Sequence, residues 1–370
     1  MKVLFYSNIP SPYRVEFFNL LAKKCDLTVA YERRKASNRD SKWSIPSDGT
    51  YEVIFLKGLD YSDDFSLSLE IIKLVRKRDY DILVVGGYAS ATQAMLIRYL
   101  RFIKIPFVLS IDGGFIKPER KLKYLIKKSL VSQAGYCLST GKKCDEFLMH
   151  YGANRSTIYH YSFACRHEAD ILKAPVSVSE KKEYKEQIGV GNKKMVLSVG
   201  QPIYRKGFDV LINAMKNDTR HDICTVIVGG EPYAECLEEL KDAKDADIRF
   251  IPFKTKEELS AYYKAADVFA FPTREDIWGL VINEAMSFGL PIVTTDRCNA
   301  GDELVAEGKN GYIVPSDDPN ALYDAIINVL YKCDGESFSL NSLSRIRPYN
   351  LEHMADEHIS MFEEIAGETR

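Results

Sequence analysis

The densest chemistry in this chain lies in residues 272–296, PTREDIWGLVINEAMSFGLPIVTTD. An apolar run reaches Pro272 and gives way to the acidic pair Glu275–Asp276, after which Gly279 opens a segment of helical period. The first amides of such a helix, at Leu280 and Val281, lack intrahelical partners and carry the positive end of the dipole, an arrangement suited to phosphate. Gly279 lets a ligand approach the main chain closely. Asp276 stands just outside the helix and Glu284 one turn inside it, eight residues apart, so the two can grip opposite ends of an extended ligand. Acidic residues at a helix start also serve as ordinary caps. Asn283 and Glu284, set in an otherwise apolar helix, need polar partners that a hydroxyl-rich ligand can supply.

A second constellation lies in residues 196–215, VLSVGQPIYRKGFDVLINAM. A strand ends at Gly200, and a loop carries the adjacent cations Arg205 and Lys206 into a helix expected to begin at Lys206–Gly207. Two cations at a helix start oppose the dipole unless an anion is present, so they suit a diphosphate. The plain alternative is a solvated Arg-Lys pair.

These segments need a scaffold, and the rest of the chain describes one. Short Val/Ile/Phe-rich runs alternate with helical patterns: KVLFYS (2–7), LTVAY (27–31), YEVIFL (51–56), DILVVGG (81–87), PFVLS (106–110) and GYCLST (135–140) in the first half. After an aperiodic stretch around 162–180 the alternation restarts with KMVLSVG (194–200), ICTVIVGG (223–230), IRFIPF (248–253), DVFAFP (267–272) and PIVTTD (291–296). Strands separated by helices imply parallel sheets with crossover helices. The expected fold is α/β with two doubly wound domains, 1–168 and 169–348, followed by a helical segment, 349–370. Ligands in such sheets sit at the carboxyl ends of the strands. Charge divides the same way: residues 1–168 hold 27 Lys/Arg against 17 Asp/Glu, and residues 169–370 hold 23 against 35. A basic first half expects an anionic partner.

RKGFD after a VG strand end, followed about 70 residues later by EDIWGLVINEAM and GLPIV, resembles the retaining glycosyltransferases of family 4. The likeness spans residues 194–315 and is weaker through the first half. It implies the GT-B fold, two Rossmann-like domains facing each other across a cleft, with residues 349–370 crossing back onto the N-terminal domain. It further implies a nucleoside-diphosphate sugar as donor, bound by the second domain, and an acceptor bound by the first. On this resemblance Glu284 holds the ribose hydroxyls, Arg205 and Lys206 neutralise the diphosphate, and Gly279 and Leu280 present amides to phosphate and sugar. Gly200 closes the donor-side strand, and Phe253, at the strand end that brackets the base, stacks on it. The family's first motif glutamate falls on Asp276, with Glu275 beside it; either carboxylate can contact the donor sugar.

In the first half, NIPSPYR (8–14) forms a rigid loop with Pro12 and Tyr13. Gly86 and Gly87 end another strand, and LSIDGGFIKPE places Asp112, Gly113 and Gly114 at a third. Many members of the family carry a histidine near this last point, close to the reaction centre; here Asp112 is the nearest candidate, its alternative being a turn residue before Gly-Gly. Residues 117–128, KPERKLKYLIKK, hold six Lys/Arg and one glutamate around Leu122, Leu125 and Ile126. Such a helix suits an anionic membrane surface or is a solvated face covering the core.

Several classes are set aside. The eight cysteines form no C-x-x-C pair and read as buried free thiols. The six histidines lack metal-ligand spacing and read as solvent-facing side chains. No metal or other cofactor is expected, because the protein cations can take the metal's place at the diphosphate. No apolar run reaches about 18–20 residues, no signal peptide is legible, and a cytoplasmic location follows, with membrane contact at the inner face through 117–128. Nucleic-acid binding is not expected, since no binding module accompanies the charge. A Rossmann dehydrogenase is not expected, since no G-x-G-x-x-G follows the first strand. The expected reaction is retaining transfer of a sugar to a hydroxyl of a glycan or lipid-linked acceptor. The alternatives are a GT-B phosphorylase or epimerase, and a non-catalytic subunit that binds a nucleotide sugar or a membrane.

Overall fold

The structure, a computed structural model, describes residues 1–34, 49–62, 65–77 and 79–368. It divides into two compact units, 1–165 with 350–370, and 166–349.

The first unit is built on a parallel sheet of β1 (Lys2–Ser7), β2 (Asp26–Tyr31), β3 (Glu52–Phe55), β6 (Ile82–Gly86), β7 (Val108–Ser110), β8 (Tyr136–Ser139) and β9 (Ile158–His160). Its order is β3-β2-β1-β6-β7-β8-β9, and β4 (Leu59–Ser62) pairs antiparallel with β5 (Phe65–Leu67) beside it. The second unit repeats the plan with β10 (Lys194–Val199), β11 (Ile223–Val228), β12 (Asp247–Ile251), β13 (Val268–Phe271), β14 (Ile292–Thr295) and β15 (Gly311–Val314), in the order β12-β11-β10-β13-β14-β15. Helices cover both faces of such sheets, which is why β10 and β11 are apolar along nearly their whole length rather than alternating. In each sheet the strand order reverses beside the first strand, between β1 and β6 and between β10 and β13. Crevices for ligands open at the carboxyl ends there.

Two strands that the sequence pattern does not announce, β9 and β15, lie at sheet edges and hold only three and four residues. The helix Leu351–Glu368 belongs to the first unit. Leu351, Met354, Ala355, His358, Met361, Phe362 and Ile365 form its buried stripe, and it packs on the helix Pro12–Leu21. His358 corrects the expectation of solvent-facing histidines. It is fully buried between Phe17 and Tyr161, and burial pushes its pKa down to about 3, so it stays neutral. The cysteines are free thiols, and six of the eight are buried. Among the described residues no cluster of His, Cys, Asp or Glu could hold a metal ion, and no helix is long and apolar enough to cross a membrane.

Candidate functional site

Both constellations meet at the switch point of the second sheet. After β10 the chain passes Gly200 and forms a short 3-10 turn, Tyr204–Lys206. The helix expected from Lys206 starts later, at Phe208, because Gly207 intervenes in the left-handed region at φ 68°. A Cβ on Gly207 would stand 2.1 Å from the Pro272 carbonyl oxygen, so the close approach of this turn to the end of β13 requires glycine. The loops are then stitched together. The Arg205 carbonyl accepts from the Arg274 amide at 2.9 Å and from the Thr273 hydroxyl at 3.0 Å.

This stitching brings the charged groups into register. Lys206 Nζ lies 2.5 Å from Asp276 Oδ2, with both side chains largely buried. Arg205 Nη1 lies 3.6 Å from the same oxygen and donates to the Glu275 main-chain carbonyl at 2.5 Å. The Asp276 carboxylate thus sits on both cations. Its main chain is anchored by the Asp276 amide donating to the Arg297 carbonyl at 2.9 Å. Gly279 caps the helix Leu280–Ser287 at φ 103°, where a Cβ would stand 2.6 Å from Cys298 Sγ. Leu280 and Val281 form the first turn of that helix, beside the cation pair's own loop.

Glu284 sits deeper in the same helix, partly buried, and accepts from the Tyr263 hydroxyl at 2.8 Å. Tyr263 stacks on Phe288 at 5.1 Å, and Arg166 covers the same Phe288 ring at 5.1 Å. Burial pushes the Glu284 carboxyl above the usual carboxylate range, opposed by the Tyr263 bond and the charges of Arg166 and Lys256. Asn283, expected to want a ligand, has a protein partner: Trp278 Nε1 donates to Asn283 Oδ1 at 2.8 Å. Phe253 lies past the end of β12, at the edge of the sheet and more than one-third exposed.

In the first unit, Asp112 follows β7 and is paired. The Arg14 guanidinium donates to its carboxylate, and the Tyr13 hydroxyl lies 3.4 Å from Oδ2. Pro12 and Tyr13 open the helix Pro12–Leu21 after β1. Gly86 and Gly87 close β6, and Gly113 and Gly114 follow Asp112. Burial opposes the charge of Arg14, but Asp112, Tyr13 and Tyr161 together outweigh it and the net shift is upward. Burial, with Asp112 second, pushes Tyr13 up to about 12. Arg14, Tyr263, Asp209 and Arg274 are absent from the sequence-based set. Arg14 adjoins the chosen Tyr13 and Arg274 adjoins the chosen acids, but adjacency gives no sign of which way a side chain points.

Residues 180–336 match the family model of glycosyl transferases, group 1. A curated GDP-mannose-dependent α-(1-6)-phosphatidylinositol monomannoside mannosyltransferase of Mycolicibacterium smegmatis is 35% identical over 162 residues, 40% of this chain and 41% of that protein. A D-inositol 3-phosphate glycosyltransferase of Corynebacterium efficiens is 30% identical over 228 residues, 58% of this chain and 52% of that protein. The chain thus spans about half the length of the curated relatives it matches. The crystal structure of Anabaena HepE in complex with UDP superposes with a TM-score of 0.75 at 17% identity, covering 100% of this chain and 99% of that one, which shows a shared fold. Two Rossmann-like parallel sheets of this kind make the α/β GT-B fold class. The stretch that matches the group 1 glycosyl transferases lies wholly inside the unit that carries the Lys206–Asp276 constellation.

Proposed function

We propose that the protein is a retaining glycosyltransferase, moving a sugar from a nucleoside-diphosphate donor to a hydroxyl of a glycan or lipid-linked acceptor. The observation that carries this is the convergence of Arg205, Lys206 and Asp276 beside the helix start at Gly279. Breaking the anomeric bond builds oxocarbenium character on the sugar and negative charge on the departing diphosphate. Arg205, Lys206 and the amides of Leu280 and Val281 stabilise that charge, each such preorganised donor contributing about 2.7–4 kcal/mol. Asp276, whose carboxylate lies beside the cations and eight residues from Glu284, takes a hydroxyl of the donor sugar. Glu284 grips the ribose diol, held by Tyr263. Gly200 leaves room at the end of β10, and Phe253 stacks on the base. With two protein cations at the diphosphate, turnover needs no bound metal and is expected to survive chelation. In the first unit Asp112, with Tyr13 and the strand ends at Gly86, Gly87, Gly113 and Gly114, faces the acceptor.

The relatives named for glycolipid and inositol acceptors favour an acceptor of that chemistry. The basic segment 117–128 agrees with an anionic membrane surface as partner. Leu122, Leu125 and Ile126 of the helix Lys121–Val131 are exposed together with Ile116, amid Arg120, Lys121 and Lys123. Lys127 takes no part, being paired with Glu119 at 2.7 Å.

A thermal-shift screen with UDP-, GDP- and ADP-sugars tests the donor, since a ligand bound to the native state raises Tm by mass action. Release of nucleoside diphosphate with acceptor present, with the product anomer read by NMR, tests transfer and retention. No shift with any of these donors sinks the proposal.

A further inference from the structure

Arg274 makes directed contacts to three separate segments of the second unit. Its Nε donates to Asp317 Oδ1 at 2.6 Å, and Nη1 and Nη2 grip both oxygens of Asp209 at 2.8 and 2.6 Å. Nη1 also donates to the Tyr204 carbonyl at 2.8 Å, and the guanidinium lies 3.9 Å from the centre of the Tyr204 ring. Its own amide donates to the Arg205 carbonyl at 2.9 Å. One side chain therefore ties the cation-bearing turn, the acidic loop and the first turn of the helix Phe208–Met215 into a single block. Only a planar fork with five donors can do this.

The contacts have an electrostatic consequence as well. Asp209 stands in the first turn of the helix that follows the cations, and Asp317 in the turn after β15; Arg274 reaches both. Burial opposes the charge on Asp209, yet the bond and charge of Arg274, with the Tyr233 hydroxyl, together hold its carboxyl below the ordinary range, so it is ionised. Uncompensated, these two carboxylates would repel an incoming diphosphate.

We propose that Arg274 is the positioning residue of the donor site: it locks the Tyr204–Lys206 turn to the Thr273–Asp276 loop and neutralises Asp209 and Asp317, so that Arg205 and Lys206 meet a diphosphate already aligned. This rests on the reading that a nucleoside diphosphate binds there. Arg274 touches neither the diphosphate nor the sugar in this scheme and acts through its neighbours.

Calorimetric titration of UDP, GDP and ADP into the wild-type chain and its variants tests it. Arg274→Ala is expected to weaken the preferred nucleotide about ten- to hundredfold, the equivalent of one charge-assisted hydrogen bond. Arg274→Lys keeps a positive charge and the fold but loses the fork, and is expected to fall between wild type and Arg274→Ala. As a control, Arg220→Ala removes an ion pair with Asp218 ahead of β11, outside these loops. It is expected to lower Tm without moving affinity. Wild-type affinity in Arg274→Lys together with an Arg274→Ala that binds within twofold of wild type, or does not fold, reduces Arg274 to a structural staple and overturns the proposal. If no nucleotide binds the wild-type chain, the donor-site reading itself fails, and this inference with it.

Discussion

Lys206 Nζ stands 2.5 Å from Asp276 Oδ2, so the cation proposed to meet a phosphate is paired with the carboxylate proposed to meet the donor sugar. The pair is largely shielded from solvent, which keeps Lys206 in place. It also means that the diphosphate and Asp276 compete for one ammonium group.

This competition separates two variants. Lys206→Ala should weaken binding of UDP, GDP or ADP, and its turnover should fall about 10²–10³-fold, with Tm changing by only a few degrees. Asp276→Ala should lose transfer as well but bind the free nucleoside diphosphate as tightly as wild type or more tightly. Parallel losses of affinity in both variants would contradict the arrangement.

Glu284 links the site to pH. Burial raises its folded pKa above the unfolded value, so the ionised form is disfavoured in the fold. Stability from this group is present below the unfolded pKa and is lost as pH rises through the folded one. Glu284→Gln should therefore raise Tm at neutral pH and flatten its dependence between the two pKa values. On the proposed role of Glu284 the same change should weaken nucleotide binding, because a carboxamide offers one acceptor oxygen where a carboxylate offers two with charge-assisted bonds. Binding by the wild-type chain should weaken on acidification through that raised pKa. Titrations and melts at several pH values check both signs.

Gly207 tests the turn that carries the cations. Gly207→Ala places a Cβ 2.1 Å from a main-chain oxygen at a positive φ, so the backbone must move. A loss of roughly 1–3 kcal/mol is expected, together with weaker nucleotide binding. Gly308→Ala, also at positive φ but with nothing near its Cβ, should lose less stability and no affinity. Equal effects in urea denaturation would refute the argument from contact.

Asp112 and Arg14 form the corresponding pair in the first unit. Asp112→Ala leaves the Arg14 guanidinium buried without its carboxylate and should cost about 3 kcal/mol, as for other broken buried pairs. Replacing both together, as Arg14→Met with Asp112→Leu, should recover most of that loss. A double variant as unstable as the single one would show that the pair is not the source.

The alternation of buried apolar runs with helical periods made the tandem α/β plan legible, because strands buried on both faces have few compositions open to them. The cations at 205 and 206 and the carboxylate at 284 stood out for a similar reason: each departs from what a helix start or an apolar helix favours. Short edge strands such as β9 and β15 carry too few residues to show a period. Partners distant along the chain left no local trace either. Lys206 meets Asp276 across 70 residues, Arg274 meets Asp209 across 65, and Arg14 meets Asp112 across 98. Sequence alone determined which residue types were available at which strand ends, since backbone propensity and burial are local properties. Only the tertiary structure decided which charge faces which, because the strand order brings β1 beside β6 and β10 beside β13, and pairing energies depend on distance in space rather than along the chain.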